Sequence, residues 1–288
     1  MTMPTRELPA LGIIAGQGPL PMAVADAALA QGRAVFVIGI KGRSNPAIDR
    51  YDHAWVRFGA IGATIDLLKK NKCRDLVLIG PMKRPTLFVD FWPDLGAIKL
   101  LPAIVKLLRQ GDDGLLSGVV KYFEEVHGFH IRPAEEVAAT LVAPEGLLSA
   151  KKPSSTDLAD IRIAIDIVRK RGGDDLGQGA VVATGEVLDV EDDSGTDAML
   201  KRVAATRTQG GMTGGVLVKL PKPGQDRRVD LPAIGVATVE NTASARLAGI
   251  AYEASGALIA DAEGVARRAD ELGIFVIGLP IGTGEGTL

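Results

Sequence analysis

Short apolar runs of β type alternate with stretches of helical period along the first half of the chain. Residues 11–15 (Leu-Gly-Ile-Ile-Ala) and 34–40 (Ala-Val-Phe-Val-Ile-Gly-Ile) are near-continuous apolar runs, the pattern of strands covered on both faces. Residues 22–30 between them carry a helical pattern, so the first forty residues predict a β-α-β unit. A helix over 61–70 and a strand over 75–79 continue the alternation, with 55–58 a weaker strand candidate. Helices over 97–108 and 114–125, a short strand near 129–132 and a helix over 133–141 follow. Such alternation predicts an α/β fold whose first domain is Rossmann-like, with a parallel sheet flanked by helices.

The composition changes between residues 142 and 156, where Pro144, Gly146 and the run Lys-Lys-Pro-Ser-Ser-Thr interrupt the pattern. We therefore expect a first domain over 1–144, a link over 145–157 and a second α/β domain over 158–288. Ser155 or Thr156 can cap a helix running through Ile161, Ile165 and Val168 to Arg171, which Gly172 and Gly173 then stop. Strand candidates at 179–184, 186–191, 215–220, 257–259 and 273–277 alternate with helices predicted at 196–206, 243–253 and 262–272.

Composition narrows the function classes. The 288 residues are 47% hydrophobic with 35 glycines and 4% aromatics, which suits α/β layers packed with Ala, Val, Ile and Leu. Thirty-three Lys and Arg against 35 Asp and Glu leave a formal charge of −2, so no basic field exists to hold a nucleic acid. Cys73 is the lone cysteine, which excludes an internal disulfide and a multi-thiolate zinc site and fits a reducing cytoplasm. No window reaches the roughly 20 apolar residues of a spanning helix, and residues 1–10 lack the apolar stretch of a signal peptide. Three histidines, His53, His127 and His130, are too few for dinuclear sites built on several imidazoles.

Candidate chemistry begins at the strand-to-helix junctions. Gly16-Gln17-Gly18-Pro19 sits between the first strand and the first helix, where it reads either as a bare tight turn or as a loop facing phosphate. Pro21 stands where the dinucleotide fingerprint needs its third glycine, which weakens a nicotinamide reading. Gly80-Pro81-Met82-Lys83-Arg84-Pro85 follows the strand ending at Ile79, placing a second loop on the same sheet edge. Beyond it, Phe88, Phe91 and Trp92 make either core or an apolar ligand surface. Asp113 of Gly111-Asp112-Asp113-Gly114 is a plausible helix cap, with a ligand contact from Asp112 or Asp113 as the alternative.

In the second half, strand alternation would put Asp189 and Glu191 on one face, with Asp192 and Asp193 extending the acid run. Ser194-Gly195-Thr196-Asp197 then starts a helix, where Asp197 could serve the helix dipole or a hard cation. In the run from Lys219 to Asp230, an extended conformation after Gly224 would put Asp226, Arg228 and Asp230 on one face. Carboxylates there could hold Mg²⁺ while Lys219, Lys222 or Arg228 neutralise phosphate oxygens; an exposed charged hairpin is the other reading.

Four motifs together resemble a known family, the cytoplasmic UDP-2,3-diacylglucosamine pyrophosphatases of lipid A biosynthesis, formerly a domain of unknown function. They are Gly12-Ile-Ile-Ala-Gly-Gln-Gly-Pro-Leu-Pro21, Gly111-Asp-Asp-Gly-Leu-Leu116, Gly195-Thr-Asp-Ala-Met-Leu200 and Lys222-Pro-Gly-Gln-Asp-x-Arg-x-Asp230, in family order over nearly the whole chain. The resemblance implies Mg²⁺-dependent hydrolysis of UDP-2,3-diacylglucosamine to UMP and 2,3-diacylglucosamine 1-phosphate, with water attacking the sugar-side phosphorus. It also implies two α/β domains with a substrate cleft between them, a homodimer, and a place at the inner face of the inner membrane with peripheral contact. Asp226 is the catalytic candidate and, with Asp197 and Glu191, a metal candidate. Gly16, Gln17, Gly18, Pro81, Met82, Lys83, Asp112, Thr196, Asp197, Lys219, Lys222, Gln225 and Arg228 are the substrate-binding candidates. Asp192-Asp193-Ser194 departs from the glycine-rich link that precedes Gly-Thr-Asp in relatives. A noncatalytic nucleotide-sugar sensor is the alternative function.

Overall fold

A computed structural model describes residues 8–82, 111–172, 177–210, 213–222 and 226–281, with the side chains of 111–115, 172 and 208–210 outside that description. The helix expected at 97–108, the aromatic segment with Phe88, Phe91 and Trp92, and the site candidates Lys83 and Gln225 lie outside the described residues, as does the Asp112 side chain. The chain divides into two compact units. One comprises residues 1–140 together with 226–229, the other residues 141–225 and 230–288.

In the first unit, strands β1 (Ala10–Ala15), β2 (Val35–Ile40), β3 (His53–Val56), β4 (Cys73–Ile79) and β5 (His130–Ile131) form one sheet in the order β3-β2-β1-β4-β5. Every pairing is parallel. Helix α1 (Leu20–Ala30) crosses from β1 to β2 and α2 (Ile61–Lys70) from β3 to β4. The strand order reverses at β1, which makes the junction of β1 and β4 a topological switch point, the place where open α/β sheets bind ligands. A core of Ile38, Leu68, Leu76, Val120, Phe123 and Ile131 packs against the sheet, and Val229 from the inserted turn lies against it.

Helix α3 (Gly111–Lys121) runs into a π-helical turn, Tyr122–Val126, so the helical segment ends close to the expected 125 but its last turn is π. The helix expected over 133–141 is a single turn, α4 (Ala134–Val137), followed by a 3₁₀ turn at Ala139–Leu141. At the far end of β4 from the switch point, Asp75 pairs with Arg33, their side chains 8% and 7% exposed.

The second unit is a mixed six-stranded sheet of β6 (Gly146–Leu147), β7 (Gly179–Ala183), β8 (Glu186–Val190), β9 (Val216–Lys219), β11 (Gly249–Glu253) and β13 (Phe275–Leu279), ordered β6-β13-β11-β9-β7-β8. Strands β13, β11 and β9 are mutually parallel, and the remaining pairs are antiparallel. The short strands β10 (Ala233–Ile234) and β12 (Leu258–Ile259) pair separately. Helix α5 (Ser155–Gly172) covers one face through Ile161, Ala164, Ile165 and Val168. The other face is covered by α6 (Thr196–Gly210), α7 (Val236–Ser244) and α8 (Ala262–Leu272), through Met199, Leu200, Val203, Val239 and Val265.

Two departures from the sequence expectations have physical causes. The helix predicted over 243–253 is instead the end of α7 and the interior strand β11. Ile250, Ala251 and Tyr252 are fully buried; a strand covered on both faces shows no alternation, and its Ala and Leu neighbours mimic a helical run. The segment 145–157, expected as a link, is built into the second unit. Strand β6 pairs with β13, Ser149 Oγ accepts from the Val276 N–H at 2.8 Å, and Lys151 Nζ donates to the carbonyls of Ala248 and Gly273. Polar side chains that satisfy neighbouring backbone groups look, in composition alone, like a solvated linker.

Candidate active site

The switch point brings together the glycine loops after β1 and β4. The Gly16 N–H donates to the Ile79 carbonyl and the Gln17 N–H to the Pro81 carbonyl, both at 2.8 Å. A Cβ on Gly16 would lie 2.5 Å from the Gly80 carbonyl carbon, so only glycine lets the two backbones pass this closely. Asn45 closes the third side, its N–H donating to the Gly16 carbonyl and its side-chain amide to that of Gly18. Gly16, Gln17, Gly18, Pro81 and Met82 therefore form one surface at the head of α1. The N–H groups of Gly16 and Gln17 are engaged within it, so the phosphate cradle read from the sequence cannot use those two donors.

Asp226 lies in the part of the chain that folds with the first unit. The extended run expected after Gly224 is instead a turn: the Val229 N–H donates to the Asp226 carbonyl at 3.0 Å and the Arg228 N–H to Asp226 Oδ1 at 3.1 Å. Asp226, Arg228 and Asp230 accordingly do not share a strand face. An aspartate that accepts from the backbone two residues ahead makes its own turn, and strand alternation no longer applies. Asp230 belongs to the second unit, where it accepts from the Gln178 side chain at 3.3 Å.

The Arg228 guanidinium reaches back to the Asp226 carboxylate through Nη2 at 2.8 Å and Nε at 3.0 Å. On its other side it meets Glu124, with Nη1 2.8 Å from Oε1. This hydrogen bonding from Arg228 holds the Asp226 carboxyl below the usual carboxylate range, against the opposing effect of partial burial. Arg228 is correspondingly pushed up. Glu124, Ile131, Arg132, Glu136 and Arg228 line an open cleft of about 420 Å³ along β5, with His130 and Pro133 at its wall. Glu124, His130 and Arg132 were not singled out in the sequence. Glu124 is 104 residues from Arg228, and no local pattern connects them.

In the second unit, the end of β8 and the start of α6 gather Glu191 and Thr196, whose hydroxyl donates to Glu191 Oε2 at 3.0 Å. The Glu191 N–H donates to the Gly179 carbonyl, and Gly179 stands opposite Lys219 in the β7–β9 ladder. Glu191, Thr196 and the Lys219 end of β9 therefore share one sheet edge. Asp197 faces a different partner, the Asn241 side chain, at 2.9 Å. Lys219 is buried and donates to the Ala233 carbonyl at 3.2 Å; Lys222 is half-buried just beyond it. Elsewhere in the acid run, Asp189 and Asp192 both pair with Arg202.

The donors available for Mg²⁺ are carboxylate oxygens, which suit a hard cation that keeps several waters and takes only one or two protein ligands beside phosphate. Asp226, Asp197 and Glu191 fit in chemistry: Asp197 and Glu191 each accept from one side chain, Asp226 accepts from the Arg228 backbone and guanidinium, and each keeps further lone pairs. Among the described residues, no group of three or more His, Cys, Asp or Glu is placed to cage a metal ion.

A parallel unit in Rossmann strand order, followed by a mixed-sheet α/β unit with carboxylate, hydroxyl and lysine at a strand-end edge, defines a two-unit α/β protein equipped for an anionic ligand. Residues 10–141 match the LpxI N-terminal domain and residues 144–277 the LpxI C-terminal domain. The chain belongs to the LpxI family. It is 44% identical over 273 residues to the UDP-2,3-diacylglucosamine pyrophosphatase LpxI of Caulobacter vibrioides, covering 93% of this chain and 97% of that one. Among solved structures, a biotin carboxylase complex from Campylobacter jejuni aligns at 10% identity with a TM-score of 0.27, over 71% of this chain and 44% of that one. That likeness is too slight to bear on fold or function.

Proposed function

We propose that the chain is a hydrolase that cleaves the diphosphate of UDP-2,3-diacylglucosamine in lipid A biosynthesis, releasing UMP and 2,3-diacylglucosamine 1-phosphate. The observation that carries this reading is the 44% identity extending over nearly the full length of both chains. The Asp226–Arg228 pair supports it chemically. A carboxylate kept ionised by an adjacent guanidinium can orient water and accept its hydrogen bond. Water adds to the sugar-side phosphorus, the bond from that phosphorus to the bridging oxygen breaks, and UMP leaves with that oxygen. The water's proton passes to solvent, through Asp226 or directly.

Mg²⁺ is part of the proposal, with Asp226 in the first unit and Asp197 and Glu191 in the second each a candidate to hold it. When bound, it would neutralise phosphate oxygens. Arg228 in the first unit and Lys219 and Lys222 in the second supply the chain's own positive charge for phosphate oxygens, and the surface formed by Gly16, Gln17, Gly18, Pro81 and Met82 offers a ligand face at the switch point.

The test is purified protein, substrate and Mg²⁺ in H₂¹⁸O, with both products read by mass spectrometry. Label in 2,3-diacylglucosamine 1-phosphate is the expected result; label in UMP would overturn the direction of attack. Binding without turnover would favour the sensor reading, and turnover undiminished by EDTA would remove the metal. The proposal further places the protein in the cytoplasm as a homodimer touching the membrane peripherally, which light scattering and vesicle sedimentation check. No helix among the described residues is long and apolar enough to cross a membrane.

A further inference from the structure

The Asp226–Arg228 pair is local, two residues apart on one turn, so by itself it would move wherever the turn moves. Val229 packs the turn on the first unit's core, and what ties the Arg228 guanidinium itself to the sheet is Glu124. This residue sits in the π-helical turn Tyr122–Val126, beside Phe123, which is buried in the core against Phe129 with ring centroids 5.7 Å apart. Glu124 Oε1 accepts from the Ile131 N–H of β5 at 3.2 Å and from Arg228 Nη1 at 2.8 Å; Oε2 accepts from Nη2 at 3.4 Å. The guanidinium is thus gripped between two carboxylates, one fixed to a strand and the other the catalytic candidate. A planar fork held on two sides has little freedom to rotate. π turns are frequent at functional sites, and here the turn that follows α3 sends Phe123 to the core and Glu124 to the edge strand.

We propose that Glu124 is a positioning residue for the reaction: through Arg228 it holds the Asp226 carboxylate in one orientation on the first unit. This rests on the reading of Asp226 as the carboxylate that acts on water. It does not need Glu124 to touch the substrate.

Glu124→Gln separates this role from a structural one. The amide oxygen still accepts from Ile131 and from Arg228 Nη1, while the negative charge and the second arm of the fork, from Oε2 to Nη2, are lost. Hydrogen exchange of the intact protein should then show the Arg228 and Val229 amides, both bonded to Asp226, exchanging at least ~5-fold faster. In the same variant kcat should fall about 10-fold with KM within about 3-fold, because the Arg228 charge is kept for the substrate while the Asp226 carboxylate loses its fixed orientation. In an Arg228→Met background, Glu124→Gln should lower kcat no further, since the route through the guanidinium is already cut.

Unchanged exchange over 226–229 would overturn the proposal, whatever the activity. Equal losses of kcat in both backgrounds would overturn it as well. If the wild-type protein does not hydrolyse the substrate while the exchange result holds, the proposed reaction fails and the anchoring of the turn stands. Should Glu124→Gln not fold, Arg228→Lys keeps the positive charge without the two-sided fork and carries the same exchange readout over 226–229.

Discussion

Replacing Asp226 with Asn keeps the shape of the side chain and removes its charge. The loss to the fold is small. Asp226 and Arg228 are 24% and 38% exposed, and ion pairs this close to solvent contribute about 0.2–1 kcal/mol once screening is counted. Arg228 also keeps its bond to Glu124 at 2.8 Å, so no buried charge is stranded. A loss of about 1 kcal/mol corresponds to roughly 2–4 °C in Tm for a protein of this size. The loss to catalysis is larger, because removing a carboxylate that works on the attacking water costs about 100-fold in rate, or about 2.7 kcal/mol. Steady-state UMP release should therefore show kcat down at least ~100-fold, KM within about 3-fold, and a nearly wild-type melting curve. A folded Asp226→Asn protein with kcat within about 10-fold of wild type would refute the assignment.

The pH behaviour follows from the same pair. Arg228 lowers the Asp226 pKa, so the carboxylate stays ionised as the pH falls through the ordinary carboxylate range. The acid limb of kcat due to this group should lie below about pH 3.9, the usual aspartate value, and Arg228→Met should move it up. A folded pKa below the unfolded one contributes stability that is present above the unfolded pKa and lost as the pH falls through the folded value; the Asn variant should lack that loss.

Three further outcomes test the frame around the site. Gly16→Ala should destabilise the first unit by about 1–3 kcal/mol in urea unfolding, because the new methyl meets the Gly80 backbone; an unchanged midpoint would contradict the close approach. Asp75→Ala strands Arg33 in the interior and should lower stability by about 3–5 kcal/mol, with a loss under 1 kcal/mol showing that the pair is hydrated. Cys73 is buried and its thiol is pushed up to about 11, so the native protein should resist iodoacetamide at pH 8 and react only on unfolding.

Much of the architecture was legible because it is encoded locally. The near-continuous Ile and Val runs of β1 and β2, the helical period of α1, α2 and α8, and the glycines between strand and helix act over a few residues and survive in the folded protein. The two glycine loops were correctly assigned to one sheet edge, since parallel strands joined by helices put their carboxyl ends together. Local pattern failed where two states share a signature. The interior strand β11 resembles an Ala- and Leu-rich helix, and the tether at 145–157 is as polar as a linker although its side chains bond the second unit's backbone.

The charged residues divide in the same way. Composition and motif order determined the α/β class and the family resemblance, and singled out Asp226 as a candidate, because each depends on residue identity along the chain. Tertiary structure alone decided that Asp226 sits on a turn instead of a strand, that this turn folds with the first unit, and that Glu124 grips Arg228 from 104 residues away. An ion pair between distant segments leaves no periodicity in either one. It exists only when folding has placed both at the same sheet edge, and its strength depends on burial and geometry that the chain acquires together.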